Sequence, residues 1–272
     1  MGSEAMEGAE YLQGWHDRHP GATSAMLDSL TDEVGRSSYE VLAEAIRDGD
    51  EPVLDLACGD GYLLELLHPN HVCLGMDWNT AELNAASRRL GQGAPLARAN
   101  AAELPIATAA LGAVGCHYAL MLLQPLEGVL AELARVLRPY GLLATVLPAS
   151  PPEDTPDPIS VFRAAWQEVS DTHSVNIPRI QDDRALRSES LKMLLADAEF
   201  TSVVVQSFSC SKPMTVDEAS RFLLLTYLPD LLPPAGFAQL TRVLEAELAE
   251  LDGGTGRVTF VEHSDLVTAH RR

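Results

Sequence analysis

Val53-Leu54-Asp55-Leu56-Ala57-Cys58-Gly59-Asp60-Gly61 is the stretch on which the reading of this chain turns. A short apolar run follows Pro52, enters a loop carrying two glycines, and gives way to a helical pattern over 62–67. Glycine lets a backbone come close to a ligand and turn its N–H groups toward it. Sixteen residues beyond Gly61, a second apolar run over 71–76 ends at Asp77. A carboxylate at the end of a second strand can accept both hydroxyls of a ribose. Strand, glycine loop, helix, strand and terminal acid together point to a nucleoside-containing ligand. A dinucleotide fingerprint needs a third glycine, but Gly61 is followed by Tyr62-Leu63-Leu64. No G-x-x-x-x-G-K-[ST] occurs, and lysine is nearly absent from this half of the chain. Nicotinamide dinucleotides and ATP are disfavoured.

Outward from this stretch the alternation continues. Upstream, Met26, Leu27, Leu30 and Val34, then Tyr39, Leu42, Ala43 and Ile46, recur at helical spacing over 23–46. Gly35 divides them into two helices, and Asp48-Gly49-Asp50 stops the second. Downstream, Asn79 is placed to N-cap a helix reaching Leu90. The pattern then predicts strands over 96–100 and 111–117 and a helix over 126–137. Arg138-Pro139-Tyr140-Gly141 turns the chain into a strand over 142–147. Near-continuous apolar strands alternating with helices predict a parallel sheet covered on both faces. Its ligand belongs at the carboxyl ends of the strands, beside the topological switch point.

Beyond Leu147 the composition changes. Five prolines within 148–158 read as a linker or extended loop. Helices are expected over 159–169, 186–198, 215–227 and 235–251, with Pro229, Pro233 and Pro234 dividing the last two. Valine-rich 200–208 and the segment 257–268 read as strands.

Acids outnumber bases 39 to 19 over 272 residues, for a formal charge of −20. Such a surface repels phosphate backbones and anionic lipid heads, so nucleic acid and membranes are poor partners. The first ten residues, MGSEAMEGAE, are acidic and lack the apolar core of a signal peptide. Four cysteines without a C-x-x-C argue against structural zinc or a disulfide framework, and no metal is expected. The balance predicts a cytoplasmic protein.

The stretch Val53 through Gly61 resembles motif I of the class I S-adenosylmethionine-dependent methyltransferases. Gly75-Met76-Asp77-Trp78-Asn79 is similar to their second-strand acid motif. Ala99-Asn100-Ala101-Ala102-Glu103-Leu104-Pro105-Ile106 is similar to the stretch that usually reads Gly-Asp-Ala-Glu-x-Leu-Pro-Phe. Leu133-Ala134-Arg135-Val136-Leu137-Arg138-Pro139-Tyr140-Gly141-Leu142 resembles the segment before their fifth strand. The likeness runs in register over 39–148 and is to the subgroup that methylates small molecules.

The resemblance implies a Rossmann-like, doubly wound α/β fold with a mostly parallel seven-stranded sheet, helical cap insertions and an N-terminal helical lid. Residues 1–47 would form the lid and its helices, and 48–150 the cofactor-binding core. Residues 151–272 would form the cap and complete the sheet, all within one structural domain. The cofactor would be S-adenosyl-L-methionine, leaving as S-adenosyl-L-homocysteine. Asp55, Ala57, Gly59 and Gly61 would hold its methionine end, and Asp77 its ribose. Trp78 would pack on the adenine, with Asn100 and Ala101 at its edge. Ala57 stands where glycine is common. Asn100 stands where aspartate is usual, so adenine recognition would use an amide oxygen. His117, ending the fourth strand near the methyl, is the candidate general base and also a cofactor-side residue. Tyr11, Trp15, His16, Tyr118 and Met121 are the candidate acceptor-pocket residues.

The function so implied is methyl transfer to an O, N or C atom of a small molecule, such as one of specialised metabolism. Two alternatives stay open at this point. One is an rRNA guanine methyltransferase, though no cysteine-rich module precedes Cys58. The other is a catalytically silent, cofactor-binding partner subunit. Monomer and homodimer are equally compatible with the sequence.

Overall fold

The computed structural model describes residues 3–47, 51–151 and 157–272. Helices α1 (Ser3–Arg18), α2 (Ala22–Leu27) and α3 (Ser38–Arg47) lead into β1 (Val53–Leu56). Then follow α4 (Tyr62–Leu67), β2 (Cys73–Asp77), α5 (Thr80–Leu90), β3 (Leu96–Arg98) and β4 (Leu111–His117). After α6 (Leu126–Val136) come β5 (Leu137–Pro148), α7 (Pro158–His173), α8 (Ser188–Asp197) and β6 (Phe200–Thr215). The remaining elements are α9 (Val216–Leu224), α10 (Pro234–Leu251) and β7 (Arg257–Arg271). The predicted stop at residues 48–50 and part of the proline-rich stretch, 152–156, lie outside the described residues.

The seven strands form one sheet in the order β3-β2-β1-β4-β5-β7-β6. Strands β1 to β5 pair in parallel, while β7 runs antiparallel to both β5 and β6. The order reverses between β1 and β4, which places the switch point directly above the glycine loop. Every residue of β1 and β4 is buried, and apart from Asp55 and the terminal His117 neither strand carries a polar side chain. One core packs α3, α4, α7, α9 and α10 on one face, through Leu42, Leu63, Trp166, Leu223 and Leu244. The other packs α6 and α8 on the opposite face, through Leu130, Leu133, Leu191 and Leu195.

Local chemistry fixes the helix starts. The Asn79 side chain accepts from the Glu82 N–H at the start of α5, as its position predicts. Asp157 and Ser160 form a capping box at α7, with Pro158 in the first turn. Thr215 and Glu218 do the same at α9.

Two expectations need correction. Arg138-Pro139-Tyr140-Gly141 is not a turn ahead of the strand but an irregularity inside β5. Leu111 pairs with Leu137 and Ala113 with Leu142, and Tyr140 takes up the offset at φ 65°. Strand β6 does not stop at 208 but runs to Thr215, because β7 pairs with it through Thr215↔Arg257. Among the described residues, no helix is long and apolar enough to cross a membrane.

Candidate active site

The glycine loop leaves β1 through three left-handed residues, Ala57 at φ 55°, Gly59 at 52° and Gly61 at 80°. The Cys58 N–H donates to the Met76 carbonyl at 3.1 Å, tying the loop to β2. The Gly59 N–H donates to Asp77 Oδ2 at 2.9 Å, and the Asn79 N–H donates to Asp77 Oδ1 at 2.7 Å. Loop, strand end and helix start are therefore one hydrogen-bonded unit. Gly75 lets β2 lie flush against α4, since a Cβ there would meet Leu64 Cδ1 at 2.5 Å.

Above this unit lies a cavity of about 430 Å³. Asp55, Ala57, Gly59, Asp77, Trp78, Asn100, Ala101 and His117 line it, joined by His16 and Tyr118. Four of the predicted residues are not among those lining it. Gly61 sits behind the loop, where a Cβ would meet Leu90 Cδ1 at 3.0 Å and Ala86 Cβ at 3.1 Å. Its lack of a side chain serves the packing of α4 against α5. Trp15 is 1% exposed and packs edge-on against the Tyr227 ring at 4.6 Å. The Tyr11 hydroxyl donates to the Tyr227 carbonyl, and Met121 is buried in the core beneath β4. Trp15 and Tyr11 fasten α1 to the segment after α9.

Helix α1 forms one wall of the cavity through Ala9, Leu12, Gln13 and His16. It is held down by polar contacts to α5. His16 Nδ1 lies 2.7 Å from Glu82 Oε1, and Asn79 Nδ2 donates to Asp17 Oδ1 at 2.9 Å. The second Glu82 oxygen accepts the Gly21 N–H at 2.9 Å. His16 Nε2 reaches the Tyr227 hydroxyl at 3.2 Å. Glu82, Tyr227, Tyr39 and Ile180 line the cavity and were not singled out by sequence. Glu82 carried a signal, as the third residue beyond an N-cap; Tyr227 and Ile180, far along the chain, carried none.

The electrostatics of this cavity are one-sided. Asp55, Asp60, Asp77 and Glu82 line it, and among the described lining residues there is neither lysine nor arginine. Asp55 is 2% exposed, and its Oδ2 has no hydrogen-bond partner. Burial pushes its carboxyl well above the usual range, and the charges of Asp77 and Asp60 add to this. Burial also raises Asp77, against the two N–H donors that favour its charged form.

His117 is packed face to face on Tyr39 at 3.5 Å, with Nε2 at 3.0 Å from Ser38 Oγ. Burial pushes the imidazole down to about 3. A ring that holds a proton so weakly is poorly matched to general-base work near neutral pH, contrary to the sequence expectation. The Asn100 amide oxygen accepts the Ala102 N–H at 3.1 Å, which leaves its second lone pair free. Trp78 is half-exposed under the Arg98 guanidinium, 4.5 Å from the ring centre. The Tyr118 hydroxyl turns to β7, 2.5 Å from Ser264 Oγ and donating to Glu262 Oε1 at 3.1 Å.

Comparison with known proteins agrees with this geometry. Residues 54–145 match the family model described as a methyltransferase domain. Over 150 residues the chain is 30% identical to the malonyl-[acyl-carrier protein] O-methyltransferase of Legionella pneumophila, covering 53% of this chain and 50% of that one. Over 136 residues it is 30% identical to the trans-aconitate 2-methyltransferase of Acidovorax sp. strain JS42, covering 49% and 50%. The chain thus spans about half the length of these curated relatives. The solved structure of YcgJ from Bacillus subtilis superposes with a TM-score of 0.59 at 16% identity, covering 86% of this chain and 98% of that one. That likeness is one of fold. Residues 54–145 thus match a methyltransferase domain, set in the sheet and helices described above.

Proposed function

We propose that this protein transfers the methyl group of S-adenosylmethionine to a small-molecule acceptor. The observation that carries the reading is the acidic lining of the cavity at the switch point: Asp55, Asp77 and Glu82, with Asp60 paired to Arg89 from behind, and, among the described lining residues, no lysine or arginine. Phosphate-bearing cofactors such as NAD or ATP would meet repulsion there. S-adenosylmethionine fits because its ammonium and sulfonium outweigh its single carboxylate, leaving a net positive charge and no phosphate. The buried, unpartnered Asp55 oxygen is a natural counter-charge for such a cation.

Bound there, S-adenosylmethionine would supply a methyl on a positively charged sulfur, to be taken by the acceptor's electron pair while the carbon–sulfur pair stays on sulfur and any acceptor proton passes to solvent as product leaves. The rest falls to the chain. Asp77 holds the ribose hydroxyls with the lone pairs that Gly59 and Asn79 leave free. Trp78 and Ala101, which line the cavity, would flank the adenine, and α1 would exclude water and align the acceptor. His117 acts as a neutral wall. A net charge of −20 disfavours a nucleic-acid acceptor. Four buried, unpaired cysteines suit the reducing cytoplasm.

Calorimetry tests the reading. S-adenosylhomocysteine should titrate the purified protein, with NAD and ATP showing no binding. Tighter binding of NAD would overturn it.

A further inference from the structure

We infer that the methyl acceptor is an uncharged, compact and predominantly apolar molecule, one without a carboxylate, phosphate or ammonium group. This rests on the methyl-transfer reading and extends it to the acceptor. All four carboxylates of the wall come from two segments, 55–60 and 77–82, the half of the cavity assigned to the cofactor. The other half is built by α1, the residues after β4 and two distant segments. It presents Leu12, Leu122, Leu123, Pro125 and Ile180 beside the uncharged polar Gln13 and Gln124, and its described residues include no acid, lysine or arginine.

An anionic acceptor would find no cation on the described protein wall, only the sulfonium of the cofactor, and would stand near Asp55, Asp77 and Glu82. Burying an unpaired ion costs several kcal/mol, which no apolar wall returns. The two histidines do not supply the missing cation. Both ring nitrogens of His16 are engaged, by Glu82 and Tyr227. His117 is buried against Tyr39 and kept neutral. An ammonium acceptor fares no better, because it would stand beside the sulfonium with no acid on its own wall. A neutral molecule meets neither penalty and gains from apolar contact. Size sharpens the class. At about 430 Å³ the cavity is near the lower end for ligand sites, and it must hold cofactor and acceptor together.

This separates the chain from relatives named for carboxylate acceptors. Trans-aconitate is a tricarboxylate, and its recognition calls for cations that the described wall does not carry.

The experiment uses the full chain saturated with S-adenosylhomocysteine and three probes on one frame: 2-naphthol, 2-naphthoate and 2-naphthylmethylammonium, with trans-aconitate as a fourth. The neutral probe should bind at least tenfold more tightly than any ion. Leu123→Arg should narrow or reverse the preference of naphthol over naphthoate. Tighter binding of naphthoate, the ammonium probe or trans-aconitate overturns the inference, as does failure of naphthol to bind. The preceding S-adenosylhomocysteine titration keeps the two readings apart. Its failure sinks methyl transfer itself, whereas normal titration with an ionic preference sinks only the acceptor class.

Discussion

Asp77 Oδ2 lies 2.9 Å from the backbone nitrogen of Gly59, joining the end of the second strand to the glycine turn of the first. With its other oxygen on the Asn79 N–H, one carboxylate orders both edges of the cavity. Hydrogen bonds to a charged group are worth ~1.5–3 kcal/mol, so Asp77→Ala should weaken S-adenosylhomocysteine binding roughly ten- to a hundred-fold. It should also lower Tm, while Asp77→Asn, which keeps an acceptor oxygen, should do less of both. Equal affinity of wild type and Asp77→Ala in calorimetry would remove this residue from the ribose site.

Asp55 should trade stability for binding. Its folded pKa is raised, so its contribution to stability is present below its unfolded value and lost as pH rises through the folded one. Its buried Oδ2 has no hydrogen-bond partner, and burial disfavours its charged form. Asp55→Asn should therefore raise Tm at neutral pH, by ~2–4 °C for each kcal/mol relieved, while lowering affinity for S-adenosylhomocysteine. Lower Tm with unchanged affinity would show that the carboxylate serves the fold alone.

His117 should be silent in the physiological range. Its folded pKa, near 3, is depressed below the ordinary 6.5. It adds stability above pH 6.5 that is lost as pH falls toward 3, because unfolding lets the ring take up a proton. Its imidazole NMR signals should not titrate between pH 5 and 8, and His117→Gln should lose less stability than wild type on acidification. A titration midpoint between 6 and 7 would return His117 to the role of general base.

Gly59 and Gly61 share a left-handed backbone but not a neighbourhood. A methyl at Gly61 would press on Leu90 and Ala86, whereas one at Gly59 has only Glu82 Oε2 within reach, at 3.8 Å. Gly61→Ala should cost ~1–3 kcal/mol of stability, seen as a lower Tm. Gly59→Ala should cost less stability and more S-adenosylhomocysteine affinity. Equal losses of both in the two variants would contradict this division.

What the sequence made legible was local. The unbroken apolar run of β4 and the Asn79 cap follow from neighbours within one element. Trp15 was misleading because an aromatic beside two histidines looks like a binding surface, while the tertiary fold uses it as a buried plug. The second half of β6 was hidden by Ser209, Ser211, Lys212 and Pro213, which surround the buried Cys210 and Met214. Tyr227 and Ile180 meet the glycine loop only after the chain has passed through the whole parallel sheet. The weak basicity of His117 depends on Tyr39, 78 residues upstream.

The placement of β7 between β5 and β6 also dictates an order of assembly. Strand β6 precedes β7 in the chain, yet β7 is its neighbour in the sheet. A chain emerging from the ribosome can therefore pair β1 to β5 early, but must hold β6 in waiting until residues 257–271 arrive. Until then the outer edge of β5, apolar from Leu142 to Leu147, stands open to other chains. The delay also burdens folding with long-range pairings. Translational pausing or trimming within β7 would strand an aggregation-prone intermediate, though the cavity's described lining was complete more than a hundred residues earlier in all but Ile180 and Tyr227.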